Sequence, residues 1–438
     1  MITPINYNIN RAELIGTLRL LSPFIVIQKM ENDEDDDKSE IMLPEPYFYD
    51  KVTFILYKAH ASLSVLTKEG VRVERTCNIE SNIENVSFCM PHAYLLQEVA
   101  KVTHEAEIYS FIEDRFFGFN VYDTISSKYL FDVDAHSVRK QPSIHPKCYF
   151  TLYPKTVSLE HETLLKVLKV FSNYTQEDCL RPFYDSIWLC FNNGVCRALA
   201  TNGSTLRQEI FQTKEMGNHM LSIPGKYAKR FYDIIVNWKE YTCHQILYND
   251  SYLRLYDFNR EGGGGETIEV PLNKSKLPDI ERVLAKHNII HRSSLHLDDL
   301  KSALRMMNTM KYKDEYVIMH FFSNHVNMHC QDEIENKKVS EFYDTLECDG
   351  EHILRLNQKK LETILDEVYT DNVIFTLIDD NMLYINNDDE ELFGGVIRIL
   401  CTAKMRDEDQ EYLERGDESL RSHQYYIDKY LAKNDEND

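Results

Sequence analysis

The sequence predicts an α+β protein in which a unit of helix, strands, helix and strands occurs three times ahead of an acidic tail. Length is the first reason: at roughly 150 residues per domain, 438 residues make about three domains, each able to bury a core. An internal repeat is the second, and a repeat outranks any local pattern in deciding a fold. Segments beginning at Met90, Ile223 and Leu356 share one pattern, each start lying 133 residues after the last. The third reason is that a hairpin pattern, two alternating strands around a polar turn, follows each of these segments.

In chain order, Asn10 to Leu21 reads as a helix with Asn10 as its N-cap and with Leu14 and Leu18, four apart, on one buried face. A strand pair, Val52 to Val65, follows. A short strand from Val86 to Cys89 then leads into the helical segment Met90 to Val99, and a hairpin spans Ile108 to Val121 around Glu113-Asp114. The second third repeats the order: helix Leu159 to Phe171 with Leu164 and Leu168 inward, strands Ser186 to Ala198, strand Met220 to Ser222, helix Ile223 to Tyr232, and hairpin Gln245 to Tyr256 around Asn249-Asp250. The last third gives helix Leu295 to Met307 with Leu300 and Leu304 inward, strands Tyr316 to His329, and strand Ile353 to Arg355. Helix Leu356 to Leu365, capped by Asn357, and hairpin Val373 to Ile385 around Asp379-Asp380 complete it. The domains are accordingly placed at 1–147, 148–287 and 288–405. An acidic surface insertion lies at about 31–40, where Glu31 to Asp37 reads Glu-Asn-Asp-Glu-Asp-Asp-Asp. Residues 406–438, with 11 acidic and 5 basic side chains, form an acidic C-terminal extension.

Composition narrows the function. A chain that is 43% hydrophobic and 11% aromatic is not disordered. No apolar run approaches the ~18 residues that mark a membrane span. Met1 to Asn10 lacks the basic start and apolar stretch of a signal peptide. Ten cysteines without a C-x-x-C pair point to reduced thiols and a cytoplasmic protein. The net charge of −22 argues at first against nucleic acid, but position matters more than sum. The basic residues gather on the repeated helices: Arg11 and Arg19, then Lys101, Lys166 and Lys169, then Lys226, Lys229 and Arg230, then Lys301 and Arg305, then Lys359 and Lys360. Acidic residues concentrate in turns, the insertion and the tail. Thirds closing around an axis with these helices inward would present a basic lining that attracts phosphates without reading bases. The acidic exterior would keep DNA off the outside.

Two stretches and the end of the repeat carry a family resemblance. Leu199-Ala200-Thr201-Asn202-Gly203-Ser204-Thr205-Leu206 is similar to V-A-T-D-G-H-R-L, and Leu277-Pro278-Asp279-Ile280-Glu281-Arg282-Val283-Leu284 to F-P-D-Y-R-R-V-L. Leu400-Cys401-Thr402-Ala403-Lys404-Met405 stands where the same family ends in V-M-P-M-R-L. Over about residues 5 to 405 the chain resembles a divergent member of the bacterial DNA polymerase III beta subunit family, the sliding clamps.

The resemblance implies three clamp domains per chain, each with two helices on antiparallel sheet, and two chains closing head to tail into a homodimeric ring. Such a ring encircles double-stranded DNA without sequence preference and tethers the replicative DNA polymerase. It is non-catalytic, a processivity subunit of the DNA-directed DNA polymerase holoenzyme, with no cofactor, no metal and no membrane partner. The DNA channel would be lined by the basic helix residues named above, with Arg181 added by the resemblance. DNA polymerase and clamp loader would bind through a short peptide motif with apolar anchors. Its pocket would comprise Tyr184, Thr201, Gly203, Leu206, Pro278, Arg282, Val283, Asn357, Lys360, Ile399 and Cys401. Ser204-Thr205 replace His-Arg, Lys360 stands in place of Tyr and Thr402 in place of Pro, so the pocket is more polar than the family's. Lys360 has two candidate positions, channel lining and pocket rim. The tail begins beside the pocket and is expected to cover or extend it.

A clamp-like scaffold or a metal-dependent nuclease that does not encircle DNA is the alternative. His320, His325 and His329 share a strand face, yet His325 and His329 lie about 13 Å apart at the usual strand rise, too far for one ion. Asp379-Asp380 and Asp388-Asp389-Glu390-Glu391 are paired carboxylates of the kind two-metal sites use, but they fall in or beside hairpin turns with no nucleophile nearby. Gly262 to Gly265 lacks a following Gly-Lys-Ser/Thr and is not a phosphate cradle.

Overall fold

The fold was described from a computed structural model. The structure describes residues 5–25, 51–56, 59–67, 70–81, 86–91, 107–113, 116–121, 127–132, 139–140, 153–177, 181–238, 242–257, 265–277, 280, 288–309, 315–332, 337–378, 381–391 and 395–405. The chain forms two compact units, Met1–Ala200 with Ile210–Leu277, and Thr201–Glu209 with Pro278–Asp438. Among the described residues, no helix is long and apolar enough to cross a membrane.

The first unit holds β1 (Ile5–Asn10), α1 (Arg11–Leu21), β2 (Lys51–Leu56), β3 (His60–Leu66), β4 (Arg72–Ser81), β5 (Val86–Pro91), β6 (Glu107–Glu113), β7 (Phe116–Val121), β8 (Ser127–Asp132) and β9 (Arg139–Lys140). It continues with β10 (Lys155–Glu160), α2 (His161–Lys166), β11 (Ser186–Asn192), β12 (Val195–Thr201), β14 (His219–Pro224), α3 (Gly225–Ile235), β15 (Cys243–Tyr248), β16 (Tyr252–Tyr256) and β17 (Glu266–Pro271). Between β12 and β14 the chain runs through β13 (Thr205–Gln212). Two meanders, β10-β15-β16-β17 and β1-β6-β7-β8, are joined by β4 into one antiparallel sheet. β4 is the hinge of that sheet: Ser81 faces Tyr7 of β1, while Arg75 faces Glu266 of β17. Glu266, 2% exposed, lies 3.6 Å from the Arg75 guanidinium and accepts a 2.7 Å hydrogen bond from Trp238 Nε1. A buried carboxylate is tolerated only when it is paired and hydrogen-bonded in this way.

The second unit uses the first part of β13 with β18 (Ile289–His296), α4 (Leu297–Thr309), β19 (Tyr316–Phe321), β20 (His325–Asp332), β21 (Lys337–Cys348), β22 (His352–Asn357), α5 (Gln358–Leu365), β23 (Asn372–Ile378), β24 (Met382–Asn387) and β25 (Val396–Cys401). Its strands follow the order β13-β25-β24-β23-β18-β21-β20-β19-β22, every neighbouring pair antiparallel. α4 and α5 pack together through Gln358, whose amide donates to Leu304 O and Asn308 Oδ1 at 3.0 Å each.

The helix faces read from spacing are the ones that pack. Leu14, Leu18, Leu164, Leu168, Leu300 and Leu304 are all buried, each such side chain contributing about 1.5–3 kcal/mol. The strands of the expected hairpins pair, with Ile108 opposite Val121, Leu247 opposite Arg254 and Phe375 opposite Ile385; Asp114 and Asp379-Asp380 of their turns lie outside the described residues. Asn10 and Asn357 cap their helices, accepting from Glu13 N at 3.2 Å and Lys360 N at 3.0 Å.

Helix starts need correcting. Leu159, Ile223, Leu295 and Leu356 lie in strands, and each helix begins just after its strand, at His161, Gly225, Leu297 and Gln358. Leu295 is held by its ladder, opposite Val373 and Thr345, while Asp298 and Asp299 favour the first helical turn two residues later. Met90 and Pro91 likewise close β5; the rest of that helical segment, to Val99, lies outside the described residues. Beyond Lys166 the second helix widens into a π-helical turn over Val167–Phe171, a departure from the i, i+4 pattern.

Candidate functional site

In the first unit α3 and the π-helical turn after α2 set basic residues on aromatic rings. Phe24, just past α1, stacks on Tyr227 and Phe231 of α3 with ring centroids 6.0 Å apart in each case. Arg230 lies over Phe24 and Tyr227, at 5.9 and 5.7 Å. Lys226 lies over Tyr227 at 5.0 Å, and Lys169 over Tyr232 at 5.7 Å. Rings beneath cations hold them in place while leaving their charge available. Lys166 is turned toward Phe211, 5.7 Å from its ring. Arg19, Lys166, Lys169, Arg181, Lys229 and Arg230 are exposed. Gly225 is required where α3 begins, because a Cβ there would collide with Thr175.

The second unit carries the other basic helix residues. Arg305 and Lys359 are exposed, whereas Lys301 lies 3.8 Å from Asp366, a pair at the surface worth little. Lys101 lies outside the described residues, and Arg11 is placed at the first position of α1.

Seven of the expected pocket residues converge in the second unit. Leu206 on β13 faces Ile399 on β25, and Cys401 N donates to Ser204 O at 2.7 Å. The turn before β13 is built by its own polar groups. Asn202 Oδ1 accepts from Ser204 N and Thr205 N, and Thr201 Oγ1 accepts from Gly203 N at 3.2 Å while donating to Thr205 O at 2.7 Å. Gly203 adopts φ +88°, a left-handed conformation that side chains disfavour. Onto this turn α5 directs Lys360, whose Nζ lies 2.6 Å from Ser204 Oγ; Asn357 caps the same helix. Burial pushes the Cys401 thiol up from its ordinary value, and the Lys360 ammonium works against that rise. Tyr184 belongs to the first unit, half-buried against Phe183. Pro278, Arg282 and Val283 lie outside the described residues.

Spacing alone missed the charges beneath this turn. Arg207 and Arg398 face each other across β13 and β25, and their side chains are only 2% and 3% exposed. Glu367 Oε2 sits between them, 3.1 Å from Arg207 Nε and 3.4 Å from Arg398 Nε. Glu209 holds Arg207 at 2.7 Å, and Glu390 holds Arg398 with oxygens at 2.6 and 3.3 Å. Burial works to raise the Glu390 carboxyl, but Arg398 and the Asn387 amide outweigh it and hold the group below its ordinary value. The sequence does contain a sign of this: Arg398 interrupts the apolar run Val396-Ile397-Arg398-Ile399-Leu400, and a lone charge in a buried strand demands a partner.

The residues that invited metal chemistry are otherwise engaged. Pairing places His320, His325 and His329 on one face, where His320 contacts Glu351 at 2.8 Å and His325 contacts Asn324 at 2.7 Å. Glu390 is committed to Arg398, and Asp379-Asp380 lie outside the described residues. Among the described residues, no cluster of three His, Cys, Asp or Glu side chains is placed to hold a metal ion.

This architecture is the sliding-clamp fold. The chain is similar to the DNA polymerase III subunit beta of Pseudomonas aeruginosa, with a TM-score of 0.72 and 15% identity over 91% of this chain and 100% of that one. It is also similar to the beta subunit from the DNA polymerase of Streptococcus pyogenes, with a TM-score of 0.71, 14% identity and coverage of 91% and 100%. A putative DNA polymerase III beta subunit from Eubacterium rectale aligns with a TM-score of 0.72 and 11% identity over 92% of this chain and 100% of that one. No family model matches the sequence, and no curated protein matches it.

Proposed function

We propose that this chain is a DNA sliding clamp: a non-catalytic processivity factor that encircles duplex DNA as a ring of two copies and tethers a replicative DNA polymerase. The observation that carries this reading is a fold likeness that spans the whole of solved DNA polymerase III beta subunits. The residues support it. Three clamp domains, at 1–147, 148–287 and 288–405, fit the 133-residue repeat, with 406–438 as an extension. Cations set on aromatic rings, Lys169 just past α2 and Lys226 and Arg230 on α3, suit a channel that follows phosphates and ignores sequence. The turn at Thr201–Leu206 with Lys360, Ile399 and Cys401 suits capture of a short peptide from polymerase or clamp loader, and the protein works in the cytoplasm.

Topology supplies the test. The protein is loaded on a nicked circular DNA with a clamp loader and polymerase from a bacterial replisome, and the circle is then linearised. A clamp stays on the circle through a high-salt wash and leaves once free ends exist. A protein held by contacts alone is lost to salt from both forms alike, and that result, or a strictly monomeric mass by light scattering at micromolar concentration, refutes the proposal.

A further inference from the structure

Two strands of the first unit end their sheets, and a hollow lined with donors opens beside them. Among the described residues β14 pairs with β11 alone and β10 with β15 alone, so each leaves an outer edge without a ladder. The hollow holds about 270 Å³, just below the ~300–1,000 Å³ of most ligand sites. Trp188 and Tyr248, 2% and 5% exposed, close its base, and its polar groups stand on the rim. Lys155 Nζ, from β10, lies 2.8 Å from Asp250 Oδ1 in the turn after β15. The hydrogen bond and charge of Lys155 hold the Asp250 carboxyl below its ordinary value, and Lys274, just past β17, adds to the effect. Asp250 is the one carboxylate among the lining residues. Its side chain is 91% exposed, so its hold on Lys155 is weak. Lys274 is exposed and makes no ion pair among the described residues. His219 on β14 is oriented by the Tyr248 hydroxyl at Nδ1, which leaves Nε2 for a ligand. Gly217 keeps that nitrogen uncovered, because a Cβ there would collide with the ring. Two ammonium groups, an imidazole and the Asn218 amide therefore line the hollow against one exposed carboxylate. Such an excess of donors in a concave site stabilises an anion with several acceptor oxygens.

We infer that this hollow binds a small phosphate ester, its phosphate oxygens held between Lys155 and Lys274 with Asp250 released to solvent. A phosphate dianion matches two cations where a single carboxylate matches one, and it offers three acceptor oxygens. Met220, 51% exposed, and Leu272 give the group attached to the phosphate an apolar contact. The hollow shares no residue with the basic helix faces or with the Thr201–Leu206 turn, and the inference does not depend on the clamp reading.

The test uses the full chain and isothermal titration calorimetry at low salt, with AMP, ribose 5-phosphate, inorganic phosphate and adenosine as probes. The two esters are expected to bind one per chain, inorganic phosphate to compete with them, and adenosine not to bind. Replacing both lysines, Lys155→Met with Lys274→Met, should weaken AMP about tenfold or more, since each gives up a charge-assisted hydrogen bond. Asp250→Asn should tighten AMP about two- to fivefold, because an exposed ion pair no longer competes; a gain in affinity cannot come from misfolding. The triple variant Lys226→Ala, Lys229→Ala, Arg230→Ala should leave AMP binding unchanged. Saturable binding of neither ester below about 5 mM, equal binding of adenosine and AMP, or an AMP affinity that survives loss of both lysines overturns the inference. Binding of inorganic phosphate but of neither ester marks a site for the free ion and overturns it too. A single-stranded oligonucleotide that binds more tightly than AMP through the same two lysines overturns the small-molecule assignment.

Discussion

Removing Arg398 should destabilise the second unit far more than removing an exposed charge would, because its side chain is 3% exposed. In the native chain two guanidiniums and three carboxylates share a site where both arginines are 3% exposed or less. Arg398→Met keeps most of the side-chain volume, yet leaves Glu390 without its paired contacts at 2.6 and 3.3 Å and strips the 3.4 Å Arg398 contact from Glu367. Breaking a buried pair from one side costs about 3–5 kcal/mol, because the remaining charge stays desolvated. With a urea dependence of about 2–3 kcal/mol per molar, the midpoint should fall by about 1–2 M. Far-UV circular dichroism follows both units, whereas Trp188 and Trp238 lie in the first unit, so their fluorescence is the internal control. Replacing Glu390 by Met as well should return at least half of the loss, since an apolar pair avoids the stranded carboxylate. The acid limb follows from the same contacts. Glu390 titrates lower folded than at its ordinary 4.5, so its contribution is full above about pH 4.5 and disappears as the pH falls through the folded value. A loss under about 1 kcal/mol for Arg398→Met, or no recovery in the double variant, would refute the reasoning.

Two further outcomes follow from the first unit. His244, 2% exposed, has a pKa lowered to about 4 by burial first, then by the charge of His161, with Asp257 opposing. The unfolded imidazole binds its proton near 6.5, so unit stability should decline as pH drops from about 6.5 to 4; urea midpoints followed by tryptophan fluorescence should lose that slope in His244→Phe. The triple variant Lys226→Ala, Lys229→Ala, Arg230→Ala should slow loading on nicked circles and flatten its salt dependence by up to about three phosphate contacts. Once loaded, the variant should persist on closed circles as long as the native chain, because retention there depends on ring closure.

Much of this protein was determined by its sequence alone, and the reason is local. Leu14 with Leu18, and Leu300 with Leu304, bury one face of each helix because i and i+4 share a face in any right-handed helix. Asn10 and Asn357 cap because a short polar side chain satisfies an orphan N–H wherever the helix begins. The hairpin at Asn249-Asp250 closes for a similarly local reason, its Asn249 side chain accepting from Ser251 N and Tyr252 N. Only tertiary structure decided the rest. The helices begin after Leu159, Ile223, Leu295 and Leu356 because partner strands hold those residues extended, and a strand's partner is distant in sequence. Lys360 turned out to meet Ser204, 156 positions away; no spacing rule relates them. Arg398, a lone charge in an apolar run, and Arg207 form a buried cluster because β13 pairs with β25 and brings Glu367 between them. Local geometry can be read from neighbours along the chain, whereas the burial of a charge depends on which distant segments exclude the water around it.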